Sequence, residues 1–357
     1  MEATPDYWKP VYFLPERAGF DCVLYQASQV KALPGRPKTD KLDSVWLAKV
    51  TGRGSLAGSF VPPEDIRRLR THTRYRRRLV QARTAEKERC EKLLEDAHLK
   101  LSSVSCRAVI AGERNPRVLA DLALGKMRRK TALLEEALDC SFFTPEHAFV
   151  LAMMLANIDH YTAQVAVPDE KSAVLCEPYE RQVAQLDAIP GFGVTAAQDL
   201  IAEIGTDMTV FPAAGHLCSW ARVVPRVTES GGKRKGKNAT GRGNPYIGGT
   251  LGEAAAGAGR TQSFLGAKYH RLCRHMPKGK ARVAVMRTQL CIAHALLSDP
   301  EADYRDLGPG YYEQRAGTRR QVRGYIRSLE RCGYKVTIEP VTDANPETGE
   351  LITHTAV

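Results

Sequence analysis

The chain has no apolar run long enough to cross a bilayer. The longest mainly apolar stretch, around 149–158, is about half of what a spanning helix needs. Its first residues, MEATPDYWKP, lack the basic and then apolar regions of an export signal. Nine cysteines stand at 22, 90, 106, 140, 176, 218, 273, 291 and 332, with no C-x-x-C pair, so neither a zinc knuckle nor a disulfide framework is suggested. They read as reduced, small side chains in a cytoplasmic protein without a membrane partner. No internal repeat is evident.

What the chain has is positive charge. Its 52 Lys+Arg against 40 Asp+Glu give a formal charge of +12 and a pI near 9.3, a balance that speaks to a polyanionic partner and not to fold. With 43% hydrophobic residues in 357 positions, two or three domains can each bury a core.

Residues 1–62 read as α/β: a helix from Trp8 to Ala18, a short strand in DCVLYQ, a turn at LPGRP, then a helix opened by TDKLDSVWLAKV. Residues 63–180 read as a helical arm, with helices to about Leu101, from Val118 to Leu138, and from Pro145 to Leu186 with a break around Val167 and Pro168. Between Arg67 and Arg89 stand ten Arg/Lys against two Glu, while Leu79, Ala82, Leu93, Ala97 and Leu101 form an apolar stripe. One apolar seam and one cationic face predict an antiparallel arm whose charged side meets nucleic acid. Residues 181–300 are mainly helical, and 301–357 form an extension whose end, after about Pro340, is expected to be loosely packed.

Three patterns carry chemistry. Asp40 and Asp43 lie three apart at the start of a helix, so both carboxylates share one face. They serve either the helix macrodipole and cap or, with Glu2 as a third acid, Mg²⁺, which takes oxygen ligands. In LDAIPGFGVTAAQDL a PGFG turn joins two helical stretches. Gly191 and Gly193 free the amides at the second helix's start for a phosphate, a helix-hairpin-helix-like arrangement, or they serve turn geometry alone. In TESGGKRKGKNATGRGNP, Ser230 precedes Gly231 and Gly232, then Lys233, Arg234, Lys235, Lys237 and Arg242. This is either a hydroxyl nucleophile in a flexible cationic loop, its glycines allowing close backbone approach, or a solvated basic loop. A further basic run, Lys268 to Arg287, holds seven Lys/Arg and no acid; Lys268, Arg271 and Arg274 are its candidates for nucleic-acid contact, and His270 and His275 stay unassigned.

The strings MEATPDYWKPV, PGRPKTDKLDSVWLAKV, SFVPPEDIRRLRTHTRYRR, IPGFGVTAAQDLIAEIGTDMTVFPAAGHLCSWA, ESGGKRKGKNATGRGNPY and YYEQRAGTRRQVRGYIRSLERCGYKVTIEP occur in this order. In them the chain resembles the insertion-sequence transposases that join a RuvC-like DEDD domain to a C-terminal serine domain, the bridge recombinases. The resemblance implies a RuvC/RNase-H-like α/β domain, a coiled-coil arm used in oligomerisation, and a mainly α serine transposase domain. It implies Mg²⁺ held by acids that include Glu2, Asp40 and Asp43, and Ser230 as the nucleophile toward DNA. It also implies a structured noncoding guide RNA and a homo-oligomer, dimer or tetramer.

Against that pattern, the family's first aspartate and its opening strands lie upstream of the position of Glu2, so they are expected to be missing here and the metal site to be one carboxylate short. Pro5 and Arg222 stand where glycine is usual, and Ile-Gly-Gly at 247–249 stands where a Leu-Arg pair is common. Three readings follow: a DNA recombinase, a binding-only relic, or a metal-dependent nuclease.

Overall fold

The computed structural model describes residues 1–3, 7–34, 39–54, 56, 58–99, 103–138, 140–225, 229–234, 239–241, 243–312 and 318–337. Of the described residues, 69% are helical. The strands among the described residues are two pairs with two residues in each strand. β1 (Glu2–Ala3) runs parallel to β2 (Tyr25–Gln26), with Glu2 opposite Tyr25 and Ala3 opposite Gln26. Of the strand expected over DCVLYQ, only its last two residues pair.

Around this ribbon lie α1 (Trp8–Arg17), α2 (Ala27–Lys31) and α3 (Asp40–Gly52). α1 is tied to the arm: Arg67 donates to both carboxylate oxygens of Glu16 and stacks 4.2 Å over the Phe13 ring.

The arm consists of α4 (Glu64–Asp96) and α8 (Pro145–Cys176), of 33 and 32 residues. α4 starts after Pro62 and Pro63 with Glu64 and Asp65 in its first turn, where acids favour the helix dipole. α8 starts with Pro145 behind Thr144, whose hydroxyl accepts from the His147 amide while the His147 ring accepts from the Thr144 amide. The two helices are antiparallel, because Arg76 meets Asp169, Arg83 meets Thr162 and Glu86 meets Asn157.

Two expectations for the arm are corrected. α8 does not break at Val167 and Pro168; Pro168 is buried within it, and the chain turns only at a 3-10 segment, Glu177–Tyr179. A proline inside a helix costs about 3 kcal/mol, and here the seam along α4 offsets that cost. The helix expected from Val118 to Leu138 is divided into α6 (Pro116–Asp121), a 3-10 turn and α7 (Thr131–Ala137), with Gly125 at φ +60° between them. With α5 (Ser103–Ile110) these short helices close over the far end of the arm, where Leu94, Leu99, Val109, Leu119 and Leu151 form a separate core.

The main core sits at the other end. α9 (Glu180–Asp187), α10 (Val194–Ile204), α11 (Ala214–Trp220), α12 (Pro245–Ala258), α13 (Phe264–Cys273) and α14 (Lys278–Ser298) bury Leu186, Leu200, Ile204, Leu217, Leu251 and Leu290 together with Ile66 and Leu69 of α4. The base of the arm is therefore part of the carboxyl-terminal core. α15 (Thr318–Arg331) follows. No helix among the described residues is long and apolar enough to cross a membrane. The end after Pro340 lies outside the described residues.

Candidate functional site

Ser230 sits in a hairpin. β3 (Glu229–Ser230) pairs antiparallel with β4 (Lys233–Arg234), and the register sets Ser230 opposite Lys233. The two connecting residues, Gly231 and Gly232, have φ of +59° and +72°, the double positive φ of the tight turn that matches strand twist and favours Gly-Gly. Within the chain a Cβ at either would meet nothing within 4 Å, so it is the turn conformation that favours glycine at both positions. The backbone of Ser230, Lys233 and Arg234 is described but their side chains are not. Lys235, Lys237 and Arg242 lie outside the described residues, as does Pro5.

The segment carrying the hairpin leaves α11 and returns to α12 through a pinched stem. Arg222 has φ +58°, a conformation that suits glycine. Gly243 lies directly against it: a Cβ there would stand 2.8 Å from Arg222 Cβ and 3.0 Å from the Ala221 carbonyl oxygen. Next in sequence, Asn244 caps α12 by accepting from the Tyr246 amide, and its Nδ2 donates to Glu203 Oε2 at 2.5 Å. Arg222, Gly243 and Asn244 also border a groove of about 1180 Å³, whose other walls include Tyr12, Asp65 and His216. The hairpin's stem thus opens on a cleft between the amino-terminal segment and the carboxyl-terminal helices.

Glu203, 2% exposed, is the hub behind the stem. It takes Arg74 through both carboxylate oxygens, at 2.8 and 2.9 Å, while Arg70 donates to the carbonyl oxygens of Ala202 and Glu203. Burial pulls Arg70 down to about 10, against the pull of Glu203. Arg74 also loses hydration, but its hydrogen bonds to Glu203 and that group's charge leave it raised; its guanidinium stacks 4.5 Å over Tyr246. Arg76 meets Asp169 and Asp199, and Arg77 reaches Thr250, Glu253 and the Tyr246 carbonyl. Arg77 fills the space over Gly249, where a Cβ would come within 1.8 Å of its Nη2.

These contacts account for half of the ten cations expected to form a face for nucleic acid, while Arg68, Arg78, Lys87 and Arg89 stay exposed. Arg67, Arg70, Arg74, Arg76 and Arg77 are turned into the protein and join the arm to the amino-terminal segment and the carboxyl-terminal core. The acids they meet, Glu203 and Asp199, lie far off in sequence and were missed. The available signal was their position as charged residues within the apolar pattern of AAQDLIAEIG. Burial raises Asp199 to about 6 against Arg76, Arg77 and Thr250, and its Oδ1 has no hydrogen-bond partner.

The PGFG turn joins α9 to α10. Gly191, at φ +89°, lies against the backbone of α12, where a Cβ would fall 2.0 Å from the Ala254 carbonyl oxygen. Gly193 caps α10 without a side-chain hydrogen bond, and a Cβ there would meet nothing within 4 Å. The first glycine serves packing; the second leaves the helix start open.

Of the second basic run, Lys268 is half-buried and donates to Thr288 Oγ1 at 2.6 Å; burial, with Arg271 and Arg287 adding to it, lowers its pKa. Arg271 stacks 4.2 Å over Tyr312, and Arg274 is exposed.

Glu2 lies on β1 and Asp43 in the first turn of α3, both half-buried; Asp40 opens α3, its side chain outside the description. Among the described residues no three His, Cys, Asp or Glu come together as a metal-ligand group. The oxygen donors suit Mg²⁺ by type, but the described geometry gives no ligand set through which a reaction step can be drawn.

Residues 1–99 match the family model for the DEDD domain of IS110-type elements, described as Transposase, and residues 183–270 match the model described as Transposase IS116/IS110/IS902 family. No curated protein matches the chain.

Proposed function

We propose that this chain, which carries IS110-family transposase domains at both its amino-terminal and carboxyl-terminal matches, is an insertion-sequence DNA recombinase that cuts and rejoins strands through Ser230. The observation that carries the reading is the serine's place: one residue before a Gly-Gly turn, opposite Lys233, on a hairpin pinned by Arg222–Gly243 and Asn244–Glu203.

In this reading Ser230 Oγ attacks a backbone phosphorus. An Oγ–P bond forms, one P–O bond to a sugar breaks, and the sugar oxygen leaves as a hydroxyl with the serine's proton. Attack by an incoming sugar hydroxyl reverses the sequence, restores a diester and frees the serine, with no external energy source. Lys233, Arg234, Lys235, Lys237 and Arg242 neutralise the strand as it is bound, and the open start of α10 at Gly193 offers amides to a neighbouring phosphate as a helix-hairpin-helix does. Lys268, Arg271 and Arg274 extend the cationic surface.

The DEDD match implies a divalent metal. Glu2, Asp40 and Asp43 are the residues proposed to hold Mg²⁺, which when bound would stabilise charge on phosphate oxygens. The reading takes a RuvC-like amino-terminal domain, DNA and a structured guide RNA as partners, and a homo-oligomer as the working form.

Strand exchange between duplexes carrying the element's ends tests it, with Ser230→Ala and Lys233→Ala beside the wild type. Loss of exchange in Ser230→Ala with duplex binding retained supports the reading. Mg²⁺-dependent cleavage that survives in Ser230→Ala would replace it with a nuclease.

A further inference from the structure

A second groove, of about 790 Å³, is lined by residues of α13 and α15. Its walls carry Arg260, His270, Arg271 and Arg274, and among its described lining residues there is no Asp or Glu. Thr261, Gln262 and Ser328 add hydrogen-bonding groups. Charge of one sign in a concave site focuses an anion's field.

The groove is built in advance of its ligand. Phe264 stacks on Tyr312 at 5.5 Å and 20°, and Arg271 lies over the same Tyr312 at 4.2 Å. The guanidinium is thereby held in place, so little side-chain entropy is lost when it meets a phosphate. Opposite, Tyr325 of α15 lines the groove with 63% of its surface exposed. Arg323, Arg327 and Arg331 stand exposed on the same helix.

We propose that this groove binds an unpaired polynucleotide strand, with phosphates along Arg260, Arg271 and Arg274 and a base stacked on Tyr325. Cations that follow a backbone beside an aromatic ring are what single-strand sites combine. A duplex hides its base faces in its own stack, so the Tyr325 ring finds a partner only in an unpaired base. The proposal deepens the recombinase reading and rests on it.

The test is fluorescence anisotropy of the full chain with a labelled unstructured oligouridylate, an oligothymidylate of equal length, and a duplex. Tyr325→Ala is expected to weaken single-strand binding by about five- to a hundredfold, as loss of one stacked base does, and to leave duplex binding unchanged; Tyr325→Phe should retain both. Arg274→Ala should lower the salt dependence of single-strand binding by about one phosphate's worth. Tyr325 is exposed, so its truncation leaves the fold intact. A stronger effect on the uridylate or on the thymidylate supports the site and identifies which of the two strands it prefers. Equal losses for duplex and single strand, or no loss in any variant, would overturn the groove and leave the recombinase reading standing. Wild-type protein that binds neither duplex nor single strand would remove that reading itself.

Discussion

Arg74 of the arm and Glu203 of α10 form a two-pronged ion pair across 129 residues of sequence, with the carboxylate 2% exposed. Removal of the carboxylate leaves Arg70 and Arg74 without their acid; with the Arg74 side chain 35% exposed, the cost falls below the about 3–5 kcal/mol of a fully buried pair. Glu203→Ala is therefore expected to lower the denaturant midpoint. Because Asn244 loses its acceptor as well, protease cleavage between 225 and 243 should rise. A variant as stable and as resistant as wild type would show that Glu203 does not organise the stem.

Gly191 and Gly193 separate packing from access. Gly191→Ala places a Cβ 2.0 Å from the Ala254 carbonyl oxygen at a φ of +89°, so it should destabilise by several kcal/mol, on the order of 3 or more. Gly193→Ala meets open space and should change thermal stability by about 1 kcal/mol or less. Similar melting temperatures for the two variants would contradict the close contact between the turn and α12.

The stem makes a paired prediction. Gly243→Ala drives a Cβ to 2.8 Å from Arg222 Cβ, which should displace the hairpin and reduce strand exchange. Arg222→Gly removes that obstacle and relieves a left-handed backbone that costs a side-chain-bearing residue about 1–2 kcal/mol. The double variant should recover part of the lost exchange. Additive losses in the double variant would argue against the pinch.

Asp199 gives a pH dependence. Its folded pKa is raised to about 6 from 3.8, chiefly by burial, so the native state holds the proton more tightly than the unfolded chain. Its contribution to stability is present below 3.8, falls as pH rises through that window, and is lost above about 6. Two units correspond to about 3 kcal/mol. Asp199→Asn should gain stability relative to wild type across this window in urea titrations; parallel pH profiles for the two proteins would refute the assignment.

Local patterns made much of this legible in sequence. The long helices α4 and α8 follow from apolar spacing, and the turn between α9 and α10 from its Pro and Gly residues. In sequence the hairpin at Ser230 reads as a flexible loop, because two-residue strands carry no alternation. The inward turn of Arg67, Arg70, Arg74, Arg76 and Arg77 is not legible for a different reason: composition reports charge but not its partner, and Glu203 lies 133 residues from Arg70. Pro168 shows the same limit, since its local cost is offset by a helix from another part of the chain. At the site, Ser230 stands out in sequence by its neighbours and by the family resemblance, and its role as nucleophile belongs to the proposal, while the stem contacts of Glu203, Arg222 and Gly243 required the tertiary fold.

The most direct measurement is mapping of the covalent protein–DNA bond. The full chain is incubated with labelled duplex carrying the element's end, quenched in denaturant, digested, and analysed by mass spectrometry. A nucleotide attached through phosphate to the peptide containing Ser230, and absent from Ser230→Ala, is the predicted result. An adduct that persists in Ser230→Ala, or that maps to another residue, would contradict the account.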